Sequence, residues 1–297
     1  MPKEIAQCTR LFESEAEQLI KSLIQKKTFD GVTECARHLP MTVVSKLVGL
    51  SEAGRANMLK WGSAGFNVQG VMNQRAKENL GIVQEFGAYA AACCEAPDTH
   101  LKKGGWGERV VQGDRRGEIP AGMGPSVLLD YIVPSLDTTI LGTGAVLMLL
   151  AKHPDQWELL LDNTDLIPNA INEALRLESP ARGFTRYVTG KFEFEGVALK
   201  EGDRVCTALQ SANRDEIFWN EPEKFDVQRK NAGQHVAFGY GAHICAGMHL
   251  AKLEIKILLE QMIKSGIKTI SLAGDPVYRP NNTLYGLESL PLAIATH

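Results

Sequence analysis

The stretch FGYGAHICAG, residues 238–247, combines a cysteine with glycines that permit tight backbone turns. Cys245 lies just before a long predicted helix, Met248 to Ser265. The backbone N–H groups and the dipole at the start of a helix favour an anion, so they stabilise a thiolate at Cys245. Gly239 and Gly241 permit a hairpin that brings the backbone close to a flat ligand.

Three neighbours of Cys245 suit the same ligand. Gly247 has no side chain at the point where the helix would touch the flat ligand. Phe238 offers that ligand an apolar face, and His243 supplies a hydrogen-bond donor for an anionic group at the edge of the ligand. A dinucleotide-binding Gly-x-Gly-x-x-Gly loop is excluded, because Ile244 stands where the third glycine would be. A nucleophilic cysteine with a histidine base remains open, since the fold would have to position that base.

A second landmark is the apolar stretch 128–151, which is long enough to span a bilayer. Asp130, Pro134 and Asp137 lie within it, and a carboxylate at the bilayer centre costs about 2.5–3.5 kcal/mol. The stretch therefore predicts a long helix, roughly 121–152, buried inside a soluble protein without a membrane partner.

The composition limits the class of protein. The chain has 297 residues, 44% of them hydrophobic, and a formal net charge of −3, so no global basic field would attract nucleic acid. The N-terminus has no apolar stretch of the signal-peptide type. The cysteines form no CxxC pair, which argues against a disulfide framework or a thiolate zinc site and indicates reduced thiols in a cytoplasmic protein. They are Cys8, Cys35, Cys93, Cys94, Cys206 and Cys245.

Most of the chain has helical periodicity or composition. The predicted helices are 13–27, 41–49, 52–68, 74–95, 121–152, 155–161, 167–178 and 248–265. Glycines and charges predict a loop around a short helix at 97–119, and residues 192–199 and 204–209 predict strands separated by a turn. The tail after the last helix predicts strands and loops. The expected fold class is mainly α with a small β component.

FGYGAHICAG resembles the haem-binding loop of the cytochrome P-450 family, Phe-Gly-x-Gly-x-His-x-Cys-x-Gly. The resemblance implies that Cys245 ligates the iron of haem b through its thiolate. It also implies that Phe238, Gly239, His243 and Gly247 bind the cofactor.

The family has a Glu-x-x-Arg helix upstream of this loop, and Glu173 and Arg176 supply it here. The spacing puts both charges on one helix face, as in an ordinary surface ion pair. The resemblance instead implies a buried structural pair that ties the helix to the segment ANRDEIFWNEPEKFDVQR, residues 212–229. In that segment the residues that fit the family pattern are Asn213, Arg214, Asp215, Phe225, Asp226 and Arg229.

The family also has an acid and an alcohol in its long central helix. Asp137 and Thr138 occupy these positions, so the resemblance implies that Asp137 relays protons and Thr138 assists oxygen activation. Upstream, Pro134-Ser135 replaces the usual Ala-Gly, and proline in a helix predicts a kink beside the pocket. In this respect the chain resembles a subset of the family that oxidises small aromatic acids or aryl methyl ethers.

Further positions follow from the resemblance. Arg186 aligns with an arginine that binds a haem propionate, and Arg182 could compete for this role. The residues expected to line the substrate side are Val133, Phe184 and Leu284.

The resemblance covers nearly the whole chain, so residues 1–297 are expected to be one cytochrome P-450 domain. In bacterial relatives, roughly a hundred more residues precede the cysteine. The domain is therefore expected to be incomplete at the N-terminus, lacking the first helices and part of the sheet.

The resemblance implies insertion of one oxygen atom from dioxygen into a small hydrophobic or aromatic molecule, by hydroxylation or O-demethylation of an aromatic acid or aryl ether. The electrons come from NAD(P)H through a ferredoxin and its reductase. One alternative is a non-catalytic haem-binding remnant of a monooxygenase, and a second is a haem-free Cys-His thiolate hydrolase. An acidic ferredoxin is expected to dock near Arg229, Lys230, Lys252 and Lys256.

Overall fold

The computed structural model describes residues 2–296, so Met1 and His297 of the expected domain lie outside the described residues. The helices are α1 (Pro2–Lys26), α2 (Ser45–Val48), α3 (Glu52–Val68), α4 (Gln74–Glu95), α5 (Pro97–His100), α6 (Trp106–Arg115), α7 (Gly124–Lys152), α8 (Pro154–Asp162), α9 (Ile167–Leu177), α10 (Leu209–Ala212) and α11 (Met248–Lys264). The fold class predicted from sequence, mainly α with a small β component, is confirmed.

The strands are short: β1 (Thr28–Asp30), β2 (Phe184–Tyr187), β3 (Phe192–Phe194), β4 (Val197–Leu199), β5 (Arg204–Thr207), β6 (Thr269–Leu272), β7 (Val277–Arg279), β8 (Gly286–Ser289) and β9 (Pro291–Ala295). They form an antiparallel sheet in the order β1-β9-β6 and three two-stranded ribbons, β2-β5, β3-β4 and β7-β8.

Local capping explains why several predicted bounds agree with the structure. The hydroxyl of Ser51 accepts a hydrogen bond from Gly54 N at the start of α3. The side chain of Asn73 accepts one from Ala76 N at the start of α4. Such caps satisfy backbone donors that the first turn of a helix leaves unpaired. Gly266, with φ +82°, follows the C-terminal end of the last helix, α11, and stops it from continuing.

The core is built around α7. From Leu136 to Ala151 all its residues except Thr138 are buried, and it packs against α3, α4 and α9. Among the described residues it is the helix long and apolar enough to cross a membrane, but 78% of its most apolar 18-residue window is buried inside the protein. Pro134, at which a kink was predicted, does not interrupt α7, and the helix continues on both sides of it.

Three expectations need correction. The segment 41–49 is not one α-helix but a π-helical turn, Pro40–Val44, followed by α2. The first helix begins at Pro2 rather than near residue 13. Residues 192–199 do not form one strand, since Glu195 and Gly196 both adopt positive φ and turn the chain between β3 and β4. The following strand, β5, pairs with β2 and not with this hairpin.

Candidate functional site

The loop before α11 is closed by backbone hydrogen bonds. Cys245 N donates to Phe238 O at 2.9 Å, and Ile244 N donates to Gly241 O at 3.1 Å. Gly239 and Gly241 have φ of +74° and +72°, a region in which L side chains are strained. The two glycines and the cross-loop bond together fix the position of the Cys245 backbone.

The surface of this loop is open. Residues 240–247 are all exposed, and a Cβ added to Gly247 would meet only the Cys245 sulfur, at 3.8 Å. Cys245 thus differs from Cys35 and Cys93, which are buried and whose thiol pKa values burial raises to about 12 and about 11. A high pKa suppresses the thiolate, so those two cysteines are poor ligands and poor nucleophiles.

Phe238 lies between two nitrogen-bearing side chains. The Lys252 ammonium lies 5.1 Å from the centre of its ring, and the ring of His235 lies 5.7 Å away, tilted by 46°. His235 Nδ1 accepts a hydrogen bond from Ala237 N at 3.1 Å. Burial, with Lys252 and Arg176 nearby, lowers the pKa of His235 to about 3, so its imidazole is neutral at physiological pH.

One face of α7 is partly open at the predicted acid-alcohol pair. Thr138 is half-buried, and its hydroxyl donates to Pro134 O at 2.5 Å, while Ser135 donates to Tyr131 O at 2.7 Å. Because Pro134 has no N–H, its own helical hydrogen bond is missing one turn earlier. The Ser135 hydroxyl thus bonds within the turn that the proline weakens, and the Thr138 hydroxyl bonds to the carbonyl of the proline itself.

Asp137, the next residue around the helix, is buried. Its Oδ2 lies 3.1 Å from Arg279 Nη2, although the angles are not those of a hydrogen bond. Burial raises the pKa of Asp137, and Arg279, Ser63 and Arg37 oppose that rise. The structure thus places Asp137 in an ion pair that the sequence did not predict.

Two of the three predicted substrate-side residues meet in a small apolar cluster. Leu284 is buried with Phe66 and Leu141, and Val133 and Ala181 pack against them. Phe184 lies on β2, is half-buried and is outside this cluster. Phe66 and Ala181 were missed because nothing in the apolar pattern distinguishes a pocket wall from ordinary core.

Glu173 and Arg176 are completely buried and joined by two hydrogen bonds, Nε to Oε2 at 2.8 Å and Nη2 to Oε1 at 2.9 Å. Arg229 is also buried, and its Nε donates to Glu173 Oε1 at 2.8 Å. The two guanidinium groups donate further to the backbone carbonyls of Asn213, Pro222, Lys224, Asn220 and Glu221. This Arg-Glu-Arg cluster anchors residues 213–229 to α9.

The comparisons with known proteins agree on one family. The cytochrome P-450 family model matches residues 126–265. The chain is 34% identical to cytochrome P-450 CYP199A2 of Rhodopseudomonas palustris over 284 residues, which cover 95% of this chain and 68% of that protein. It is 33% identical to a steroid C26-monooxygenase of Mycobacterium tuberculosis, over 93% of this chain and 75% of that protein.

The chain belongs to the cytochrome P-450 family. Its structure also resembles the crystal structure of the Acinetobacter radioresistens CYP116B5 haem domain, with a TM-score of 0.89 and 26% identity over 99% of this chain and 72% of that one. Family membership makes the protein an oxidoreductase of the monooxygenase type with a haem-thiolate cofactor.

The residues present fit a cytochrome P-450 haem. The exposed thiol of Cys245 and the open glycine-lined surface beside it suit a planar group with a metal ion. Arg186 is exposed, and among the described residues no carboxylate lies within ion-pair distance of it; it donates to Thr185 O at 3.3 Å. Arg182 instead lies 3.1 Å above the ring of Tyr285 and 3.9 Å from Glu178, so it is already engaged.

Two residues expected in the ferredoxin docking patch are not free for it. Arg229 is buried in the cluster with Glu173, and Lys252 is half-buried against Phe238, with a pKa that burial lowers. Lys256 is half-buried and pairs with Glu260 at 2.7 Å, and Lys230 is exposed. The patch expected from sequence therefore shrinks to Lys230 and Lys256.

The alternative of a Cys-His hydrolase has no geometric support. Among the side chains that the structure describes, no histidine forms a hydrogen bond with the sulfur of Cys245, which a nucleophile and its base would require.

Proposed function

We propose that the chain inserts one oxygen atom from dioxygen into a small hydrophobic or aromatic molecule, and that Cys245 would hold the iron of haem b. The observation that carries the proposal is the exposed Cys245 thiol, held by the bond to Phe238 O in a loop whose surface is open. When bound, the haem supplies the iron at which dioxygen is activated.

The residues of the chain have separate tasks. Cys245 lies just before α11 and would hold the iron through its sulfur, and Phe238 packs the start of the loop against the core. Arg186 and His243 are exposed donors for the carboxylates of the cofactor. Gly239 and Gly247 keep the loop surface free of side chains.

Thr138 and Asp137 are the proposed proton-handling groups. The Thr138 hydroxyl can both donate and accept a hydrogen bond, and its present partner is the carbonyl of Pro134. Asp137 is a carboxylate one helical step away that can take up a proton and release it again. Together they would bring protons from the interior side of α7 to its open face.

The substrate is proposed to be an aromatic acid or aryl ether that undergoes hydroxylation or O-demethylation. The apolar wall of Val133, Leu284 and Phe66 supports a small hydrophobic or aromatic molecule, and Phe184 is proposed to complete it. Pro134-Ser135, at the turn before Thr138, supports the narrower class through the resemblance noted above.

The proposed electron source is NAD(P)H, through a ferredoxin and its reductase, in the cytoplasm. The exposed Lys230 and the half-buried Lys256 support an acidic partner.

The proposal is tested by supplying haem b to the purified chain and recording its absorption with carbon monoxide after reduction. The wild type and Cys206→Ser, in which another exposed cysteine is replaced, should show the thiolate-type Soret band; Cys245→Ser should lose it. A band that survives in Cys245→Ser, or a chain that binds no haem, would contradict the proposal. Haem binding without product from a panel of aromatic acids and aryl methyl ethers, given NAD(P)H, ferredoxin and reductase, would favour the non-catalytic remnant.

A further inference from the structure

The ribbon β7-β8 is pressed unusually closely against α7. A Cβ added to Gly286 on β8 would lie 2.6 Å from Cδ2 and 2.9 Å from Cβ of Leu141, so only glycine fits without a shift. Leu141 is four residues after Asp137, and residues so spaced lie on the same face of a helix. The glycine therefore brings the ribbon to the face of α7 that carries Asp137.

Arg279 is the cross-strand partner of Gly286. Its Nη2 lies 3.1 Å from Asp137 Oδ2, an ion-pair distance, and both atoms are buried without a hydrogen-bond partner among the described residues. For Asp137, Arg279 is the largest of the influences that oppose the effect of burial. Asp137 also has Ser63 of α3 and Arg37, which follows the π-helical turn Gly31–Ala36, as favourable neighbours.

The position of this pair matters for the proton-handling groups of the proposed function. A guanidinium has only donors, so it favours an ionised Oδ2 over a protonated one. Successive residues of a helix point in directions about 100° apart. Asp137, which Arg279 holds, therefore lies on a different face of α7 from Thr138, which lies on the open face. Proton uptake at Oδ2 from water requires that Arg279 withdraws, and release of that proton towards Thr138 restores the carboxylate.

We propose that Arg279 is a positioning residue for proton delivery: it fixes the Asp137 carboxylate on the inner side of α7 and controls when that carboxylate takes up a proton. The delivery role rests on the proposed function, whereas the ion pair does not. A merely structural counter-ion would stabilise the fold without affecting the pH dependence of turnover.

The first measurement is the titration of the Asp137 carboxyl, by infrared difference spectra against Asp137→Asn, on the chain as purified. Loss of an opposite charge at this distance should raise the proton affinity of the Asp137 carboxyl. Arg279→Gln should therefore increase that affinity at least about tenfold. Arg279→Lys should restore most of the wild-type value. Arg204→Gln, which removes an exposed arginine that stacks on Tyr187, is the matched control and should change nothing.

The second measurement is the pH profile of turnover in the haem-loaded enzyme. In Arg279→Gln, the pH at which protonation of Asp137 changes the turnover rate should shift in the same direction as the titration of the carboxyl. In Arg279→Lys, that pH should return towards the wild-type value. If Arg279→Gln does not fold, Gly286→Ala, which displaces the ribbon, is measured instead with the same expectations.

Each outcome decides something. An unchanged carboxyl titration in Arg279→Gln overturns the proposal even where the Soret band shows an intact haem site. A shifted titration with an unshifted turnover profile reduces Arg279 to a counter-ion and also overturns it. A chain that binds no haem refutes the proposed function and the delivery role together, while the titration still reports whether the ion pair exists.

Discussion

Glu173 has no contact with solvent, yet both of its oxygens accept hydrogen bonds from arginines. Glu254 on α11 is also buried, but among the described residues its Oε2 has no hydrogen-bond partner. Two buried carboxyl groups in one chain therefore have opposite electrostatic situations. At the scale of single residues, the partners that a charge finds decide whether its burial stabilises the fold or costs stability.

Glu173→Ala is expected to cost about 3–5 kcal/mol in the free energy of unfolding, because it leaves two buried guanidinium groups without their carboxylate. Denaturant titration measures the change. The control is Glu17→Ala, which removes an exposed ion pair with Lys21 and should change the free energy of unfolding far less than Glu173→Ala does. Similar losses in the two variants would show that the Arg-Glu-Arg cluster is not a buried anchor.

Glu254→Gln is expected to stabilise the chain at pH 8 and not at pH 4. Burial raises the pKa of Glu254 well above 4.5, so the folded state holds the proton more tightly than the unfolded state. The stability of the wild type then falls as the pH rises from about 4.5 towards the folded pKa, and glutamine removes this loss. Denaturant titrations at the two pH values check it; an equal effect at both would contradict the assignment.

Thr138→Ala should leave the haem content near normal but divert electrons to hydrogen peroxide. The variant removes a hydroxyl at the open face of α7 and keeps the helix, within which that hydroxyl donates to Pro134 O. The measurement is the ratio of NAD(P)H consumed to product formed. Thr143→Ala is the matched control, since Thr143 makes the same type of bond to Thr139 O within the buried part of α7. Tight coupling in Thr138→Ala would refute the role proposed for this residue.

At the scale of elements, the connection between α3 and α4 is tied to the turn before β8. The Asn282 side chain bonds to the Asn67 carbonyl at 2.6 Å and to the Asn73 side chain at 2.9 and 3.0 Å. The Thr283 hydroxyl donates to Phe66 O at 2.9 Å. The same turn thus carries Leu284 to Phe66 and fixes the end of α3.

Asn282→Ala should loosen the connection between α3 and α4 without unfolding the protein. Its side chain provides polar links across the gap, and regions with few such links open locally at low free energy. Amide hydrogen exchange of residues 67–75 should become faster, while α7 should remain protected. Asn79→Ala, which removes a bond within α4 to Arg75 O, serves as the control. Unchanged exchange would mean that Thr283 suffices to hold the connection.

At the scale of the whole molecule, a net charge of −3 gives no general attraction for an acidic partner, so a ferredoxin would depend on local lysines. Lys230→Glu is expected to slow reduction of the haem by an acidic ferredoxin, and raised ionic strength should slow the wild type. Lys256→Glu should act more weakly, because Glu260 already neutralises part of its charge. Stopped-flow reduction rates measure both effects, with Lys60→Glu on α3 as control. If the reduction rate changes neither with ionic strength nor in Lys230→Glu, this docking site is excluded.

The sequence by itself determined the features that depend on neighbouring residues. The loop 238–247 could be interpreted because turn glycines and a helix start act locally, and the bounds of α3 and α4 were predicted correctly from helical periodicity. The central helix was predicted because carboxylates inside an apolar stretch are incompatible with a bilayer.

Only the tertiary structure decided which distant residues meet. The pairing of Asp137 with Arg279, the burial of Arg229 and the contact of Phe66 with Leu284 each join elements far apart in the chain. The pairing of β5 with β2, across the intervening β3-β4 hairpin, is of the same kind. Such contacts depend on how whole elements pack, and a charged or apolar residue has the same local pattern whichever partner it finds. Periodicity and capping act over a few residues, whereas the partner of a buried charge is set by the packing of the complete fold.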